Sequence, residues 1–205
     1  MTGGSWRIKR RGMMFQKEMT NEEVAQLDLI QYEGPIQLVA SRGKFEQEID
    51  LILDEPVLGF DTETRPSFKK GRVYPTSLIQ LAAPNCVWLI RVNRTGYPPE
   101  LKKLLSGDEW LKVGSGLKDD LRRLISDIHF KPRGFLDLQD YVEAFRIEEK
   151  GLKKLTGIVL GHRISKSQQV SNWDADRLTE PQLRYAATDA WICLEIYRRL
   201  RESIL

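Results

Sequence analysis

Val57-Leu58-Gly59-Phe60-Asp61-Thr62-Glu63 is an apolar run that ends in two acids spaced one residue apart. Pro56 opens it, and its β-branched and aromatic members predict a strand. Successive strand side chains point to opposite faces, so Asp61 and Glu63 share a face with Gly59, while Leu58 and Phe60 pack on the other. Downstream, residues 77–82 and 86–92 form two further apolar runs. Ala83-Pro84-Asn85 separates them, which predicts a hairpin. The rhythm then changes: strands expected at 110–114 and 135–138 flank an amphipathic helix at 117–126. Hairpin strands first and helix-separated strands later predict an α/β fold, a mixed β-sheet flanked by helices on both faces.

Upstream, residues 36–40 read as a short strand and Ser41 starts a helix running to about residue 53. Asn21 is expected to cap a short helix, with Glu22 and Glu23 in its positive first turn. Helices are also expected at 99–105, 139–145 and 151–160, the last stopped by Gly161. Thr179-x-x-Gln182, with Pro181 in the first turn, opens a long final helix. Residues 65–75 and 166–176 read as loops.

The 205 residues hold 32 Lys and Arg against 29 Asp and Glu, and 41% are hydrophobic. That is apolar material enough for a full core, and it excludes collagen-like, coiled-coil and wholly disordered classes. No run approaches the roughly 18 apolar residues of a membrane span, and the N-terminus lacks the apolar stretch of a secretory signal. Cys86 and Cys193 flank no CxxC. The expectation is a cytoplasmic, reducing setting with both thiols structural. Charge is uneven: residues 1–20 carry a net +4, from Arg7, Lys9, Arg10, Arg11 and Lys17 against Glu18. They are expected to form a basic tail, read either as solvated chain or as an arm that touches nucleic acid. Residues 21–205 are expected to form a single domain.

With only His129 and His162 available, acids are the main candidates for chemistry. Asp61 and Glu63 on one strand face repel each other and need compensation, most simply by a divalent cation. The spacing alone is a weak signal, because acid-x-acid triplets recur by chance, as at Glu46, Glu48 and Asp50. In Gly114-Ser-Gly-Leu-Lys-Asp-Asp-Leu-Arg-Arg-Leu124, the residues Leu117, Leu121 and Leu124 mark a buried helix face. Asp120 lies near that face and Asp119 points to solvent. Spacing leaves Asp120 open between a first-turn acid favoured by the helix dipole and a functional group. Tyr185 and Asp189 in Tyr185-Ala-Ala-Thr-Asp189 stand one above the other at i and i+4. They read as a surface pair or as part of a site.

Together and in this order, the three groups resemble the three motifs of the DEDDy 3′–5′ exonucleases, the ribonuclease H-like superfamily that includes RNase D and the Werner-type exonuclease domain. The resemblance spans about residues 35–200. Lys166-Ser-Gln-Gln-Val-Ser-Asn-Trp173 is similar to the polar stretch these enzymes carry before the third motif. Phe68-Lys-Lys-Gly-Arg72, followed by Ser77-Leu-Ile-Gln-Leu81, looks more Werner-type than RNase D.

The resemblance implies a ribonuclease H-like fold. It implies Asp61, Glu63, Asp120 and Asp189 as carboxylates holding two Mg²⁺ or Mn²⁺ ions, with Tyr185 orienting the attacking water. The second acid, Asp119, is a departure from the pattern; the helix face and the following Leu121 favour Asp120. The implied activity is hydrolysis of phosphodiester bonds at a free 3′ end, releasing nucleoside 5′-monophosphates, with DNA favoured. RNA trimming of RNase D type and a nucleic-acid-binding module that does not cleave are the alternatives. Arg65, Lys69, Lys70 and Arg72 are expected to meet phosphates, with a solvated loop as the other reading. Thr62 is expected near the terminal nucleotide, Phe60 in the core, and Trp173 as an aromatic contact from its polar segment.

Overall fold

The computed structural model describes residues 15–69 and 71–204. The expected basic residues Arg7, Lys9, Arg10 and Arg11, and Lys70, lie outside them. Helix α1 (Asn21–Gln26) leads to β1 (Ile36–Val39) and α2 (Arg42–Leu53). Strands β2 (Val57–Thr64), β3 (Thr76–Ala82) and β4 (Val87–Ile90) follow, then α3 (Val92–Thr95) and α4 (Pro99–Ser106). The second half contains β5 (Leu111–Gly114), α5 (Leu117–Ile128), β6 (Phe135–Asp137), α6 (Leu138–Tyr141), α7 (Leu152–Leu160) and α8 (Glu180–Glu202).

The strands form one sheet in the order β1-β4-β3-β2-β5-β6. β2, β3 and β4 pair antiparallel, as the short Ala83-Pro84-Asn85 link dictates. β5 and β6 join β2 in parallel through helical crossovers, and β1 pairs parallel with β4. Both faces are covered, which is why all seven residues of β3 are buried rather than alternating. On one face Leu58, Phe60, Ile79 and Leu81 pack with residues of α2, α4 and α5. On the other, Leu78, Ala82 and Leu89 meet Ala186, Ala187 and Ala190 of α8. Beyond them Val113, Leu138, Leu155 and Ile192 fill the space under α6 and α7.

Several expected boundaries move, each for a local reason. Thr20, not Asn21, caps α1: its hydroxyl accepts from the Glu23 amide at 3.1 Å, and the Glu23 carboxylate accepts from the Thr20 amide at 2.7 Å. This satisfies two donors at once and makes Asn21 the first helical residue. The strand expected at 86–92 stops at Ile90, where pairing with β1 ends, and the chain turns into the single-turn α3. The helix expected at 139–145 is α6 followed by a 3₁₀ turn, Val142–Phe145, closed by Arg146 at φ 61°. Residues 15–20, expected in the tail, lie against the body. Phe15 meets Phe145 edge-on at 6.2 Å, and Lys17 pairs with Glu148 at 3.2 Å. Both cysteines are free thiols, Cys193 buried and Cys86 half-buried. No described helix is long and apolar enough to cross a membrane.

Candidate active site and metal centre

Gly59 sets the architecture of the site. A Cβ there would lie 2.0 Å from the Ala190 carbonyl oxygen and 3.1 Å from the Leu194 Cβ. Only a residue without a side chain lets α8 rest on β2 at this distance. Ala186, Ala187 and Ala190 keep the facing side of α8 small. The consequence lies one residue before Ala190: Asp189 is carried to the strand face that bears Asp61 and Glu63. One ligand atom from each of the three carboxylates lies within 4.8 Å of the other two.

Asp120 arrives from the opposite side of β2. Thr62 points towards α5, and its hydroxyl donates to Asp120 Oδ1 at 2.6 Å. The start of α5 is held in place by Asp137, whose carboxylate accepts from the backbone amides of Gly116 (2.9 Å), Leu117 (2.8 Å) and Gln139 (2.9 Å). Gly116 takes φ +73°, and a Cβ on Gly114 would stand 2.8 Å from the Phe60 carbonyl. Asp120 is therefore fixed beside the acid trio without joining it, while Asp119 is exposed and pairs with Arg122 at 2.8 Å. Replacing Asp120 with alanine is expected to lower nuclease turnover by roughly 10² or more, and Asp119→Ala by less than about threefold. Steady-state kinetics on both variants checks this; equal losses would mean that the phase of α5 is misassigned.

Electrostatics set these acids apart from the other carboxylates described. Burial pushes the Asp61 carboxyl well above the usual range, and the charges of Asp189 and Asp120 push it further. Glu63 is pushed up to about 10, by burial first and then by Asp61, Asp189 and Asp120. Burial raises Asp189 to about 7 against the hydrogen bond from Tyr185 and the charge of Lys166, which pull it down. Asp120 is raised by burial and partly relieved by Thr62 and Arg123. Such a cluster cannot hold its full negative charge unaided, and its hard oxygen donors suit a divalent cation. Tyr185 donates to Asp189, and burial with the charges of Asp189 and Glu63 keeps its hydroxyl protonated.

A cleft of about 230 Å³ opens over the trio, lined also by Leu152, Lys153, Lys166, Gln169 and Tyr185. Lys153, Lys166 and Asp137 were not singled out from the sequence. For Asp137 a signal existed, an acid immediately before a helix start. For Lys166 the polar stretch that it opens was a signal, and for Lys153 there was none, because it reaches the cleft only through the packing of α7. Arg65, Lys69 and Arg72 are exposed on the loop after β2, as expected of phosphate-seeking groups and equally of a solvated loop. Phe60 is in the core, edge-on to Phe135 at 5.1 Å.

Trp173 corrects the expectation of an aromatic substrate contact: it is fully buried between β3 and α8. Its polar neighbours turn it inward. Asp174 accepts from Ser77 at 2.8 Å, and the Arg91 guanidinium donates to the carbonyls of Ala175 and Asp176. Trp173 instead packs behind Tyr185, with ring centroids 6.1 Å apart.

Comparison with known proteins agrees with this geometry. A family model described as a 3′–5′ exonuclease matches residues 36–205. Exonuclease 3′-5′ domain-containing protein 2 of Mus musculus is 37% identical over 160 residues, covering 72% of this chain and 24% of that protein. The mouse bifunctional 3′-5′ exonuclease/ATP-dependent helicase WRN is 35% identical over 153 residues, 72% of this chain and 11% of its own length. The chain thus spans a quarter or less of these two relatives. Among solved structures, the Aedes aegypti Nibbler EXO domain superposes with a TM-score of 0.76 at 28% identity, covering 85% of this chain and 92% of that one. The Trypanosoma brucei RNase D complex with RNA U12 has a TM-score of 0.73 at 22% identity and shares the fold. The mixed six-stranded sheet with helices on both faces is the ribonuclease H-like arrangement expected from the sequence.

Proposed function

Because this chain belongs to the 3′–5′ exonuclease domain family, we propose that it hydrolyses the terminal phosphodiester of a nucleic acid with a free 3′ end, DNA before RNA, releasing nucleoside 5′-monophosphates. The observation that carries this reading is the convergence of Asp61, Glu63 and Asp189 within 4.8 Å, beside Tyr185 and Asp120. Asp61, Glu63 and Asp189, with Asp120 alongside, suit two Mg²⁺ or Mn²⁺ ions. When bound, these supply a water of lowered pKa and stabilise charge on the leaving 3′ oxygen.

The chain's own residues do the rest. Tyr185 keeps its hydroxyl proton and directs it to Asp189, so its oxygen is free to accept a hydrogen bond from the attacking water and aim it at phosphorus. Thr62 holds Asp120 in one orientation through its hydroxyl and also lines the cleft where the terminal nucleotide would lie. Lys166 and Lys153 at the cleft mouth offset the charge of the scissile phosphate. Arg65, Lys69 and Arg72, exposed on the loop after β2, offer phosphate contacts beyond it, and Lys70 joins them by sequence alone.

Digestion of 5′-labelled single-stranded DNA, 3′-overhang duplex and RNA tests the reading. Stepwise shortening from the 3′ end with Mg²⁺ or Mn²⁺, abolished by EDTA, is expected. Full activity in EDTA, or binding without cleavage under every metal condition, would remove it, and faster RNA digestion would reverse the substrate order. Tyr185→Phe keeps the ring against Trp173 and removes one hydrogen-bonding group. The single-turnover rate should fall on the order of 10- to 10³-fold, about 1.4–4 kcal/mol. Calorimetric Mn²⁺ affinity should stay close to that of the parent. An unchanged rate would return Tyr185 to a packing role.

A further inference from the structure

A second cleft, of about 630 Å³, lies on the α5 side of β2, between that helix and the segment that enters β3. Arg122, Arg123 and Ser126 line one wall, and Val73 and Tyr74 the other. The Tyr74 ring carries two guanidinium groups, Arg65 at 5.1 Å and Arg72 at 4.8 Å from its centroid. Arg123 is the innermost cation: its Nη1 donates to Thr64 at 3.3 Å, and its Nε is buried without a hydrogen-bond partner. Two acids also line the cleft, and both are engaged. Asp119 pairs with Arg122, and Asp127 accepts from the Thr76 amide at 2.9 Å and from the Tyr97 hydroxyl at 3.2 Å. Arg122 and Arg123 balance the two acids of the lining, so the guanidinium groups of Arg65 and Arg72 on Tyr74 leave the cleft and its edge cationic. Val73 of its wall and Phe68, on the loop that leads to it, are 75% and 86% exposed, the most exposed large apolar side chains among the described residues.

Guanidinium groups interleaved with exposed rings match a polymer that alternates phosphates with stackable bases. The cleft also borders the segment that carries Asp120: Thr62 holds that acid, and Thr64, two residues on, meets Arg123. We propose that this cleft is a strand-binding subsite for the single-stranded nucleic acid leading to the 3′ end, with Arg72, Arg122 and Arg123 on its phosphates and the exposed Phe68 ring against its bases. The proposal rests on the nuclease reading and adds where the chain runs beyond its terminal nucleotide.

Two variants test it from the same wall without touching the acid cluster, Arg122→Glu and Ser126→Glu. Both sites are exposed. Fluorescence anisotropy of a labelled single strand of roughly 20 nucleotides in EDTA reads binding without turnover. Each variant should weaken binding about tenfold and reduce the slope of log K against log salt by about 0.7 for each phosphate that the protein no longer neutralises. With Mn²⁺ present, turnover on the same strand is compared with turnover on the p-nitrophenyl ester of thymidine 5′-monophosphate, which offers a phosphodiester but no strand. The ratio of kcat/KM values should fall about tenfold, whereas a folding defect lowers both together. Unchanged affinity and salt slope in both variants would overturn the proposal. So would displacement of the strand by polyglutamate at lower concentration than by unlabelled strand, which would assign the cleft to an acidic protein segment. If the parent protein hydrolyses neither substrate yet binds the strand in a variant-sensitive way, the cleft stands and the catalytic reading falls.

Discussion

Asp61→Ala is expected to lower nuclease turnover by about 10³-fold or more, roughly 4 kcal/mol of transition-state stabilisation, while raising the stability of the metal-free protein. The two effects have one origin. Asp61 sits within reach of Glu63 and Asp189, and burial with mutual repulsion disfavours its charged form. Removing it relieves the remaining acids and removes the residue common to the whole cluster. The linkage has a definite sign. Glu63 and Asp189 have folded-state pKa values raised to about 10 and about 7. The stability they contribute is fully present below their unfolded values near 4 and is lost as pH rises through the folded ones. In EDTA the parent protein should therefore lose Tm between pH 5 and pH 8, and Asp61→Ala should lose less. Added Mg²⁺ should restore the parent Tm at pH 8 and act weakly on the variant. A flat Tm profile in EDTA would mean that the acids are not coupled in this way.

Gly59→Ala is expected to be the most damaging single-methyl change in the sheet. The new Cβ would stand 2.0 Å from a backbone carbonyl of α8, which no rotamer change relieves. Overpacking of this kind costs about 3 kcal/mol when the surroundings cannot yield. If α8 yields instead, Asp189 moves away from Asp61 and Glu63. Urea denaturation and activity together separate the outcomes: a lower midpoint, a disrupted metal site, or both are expected. A variant with parental midpoint and parental turnover would show that α8 does not depend on this close approach.

The fold was legible where sequence pattern and tertiary environment agree. Residues 57–63 show alternation because one strand face meets α5 and the other meets α8, and the Thr179–Gln182 capping box opens α8 where expected. Strand and helix spacing put Asp61 beside Glu63 and Tyr185 beside Asp189, but only the resemblance of three motifs in order joined the two pairs, which the fold brings together. What remained hidden depends on long-range packing. Trp173 lies in a polar segment, yet Arg91, more than eighty residues away, ties the following carbonyls down and turns the ring inward. That Thr62 also steadies Asp120 depends on α5, which begins more than fifty residues later. Thr20 outcompetes Asn21 as a cap because Glu23, three residues on from it, completes the reciprocal pair.

The seating of α8 on Gly59 also bears on how the chain acquires its chemistry during folding. β2, β3 and β4 are sequence neighbours joined by antiparallel pairing, so their contacts close short loops and can form early. Asp189 reaches the same sheet only after the 99 residues that follow β4 have been ordered or synthesised. A chain folded through β4, or even through α7, has Asp61 and Glu63 in place but lacks their third carboxylate and Tyr185. On the proposed site the incomplete chain should not cleave nucleic acid, and in a refolding time course nuclease activity should appear with the phase that docks the final helix.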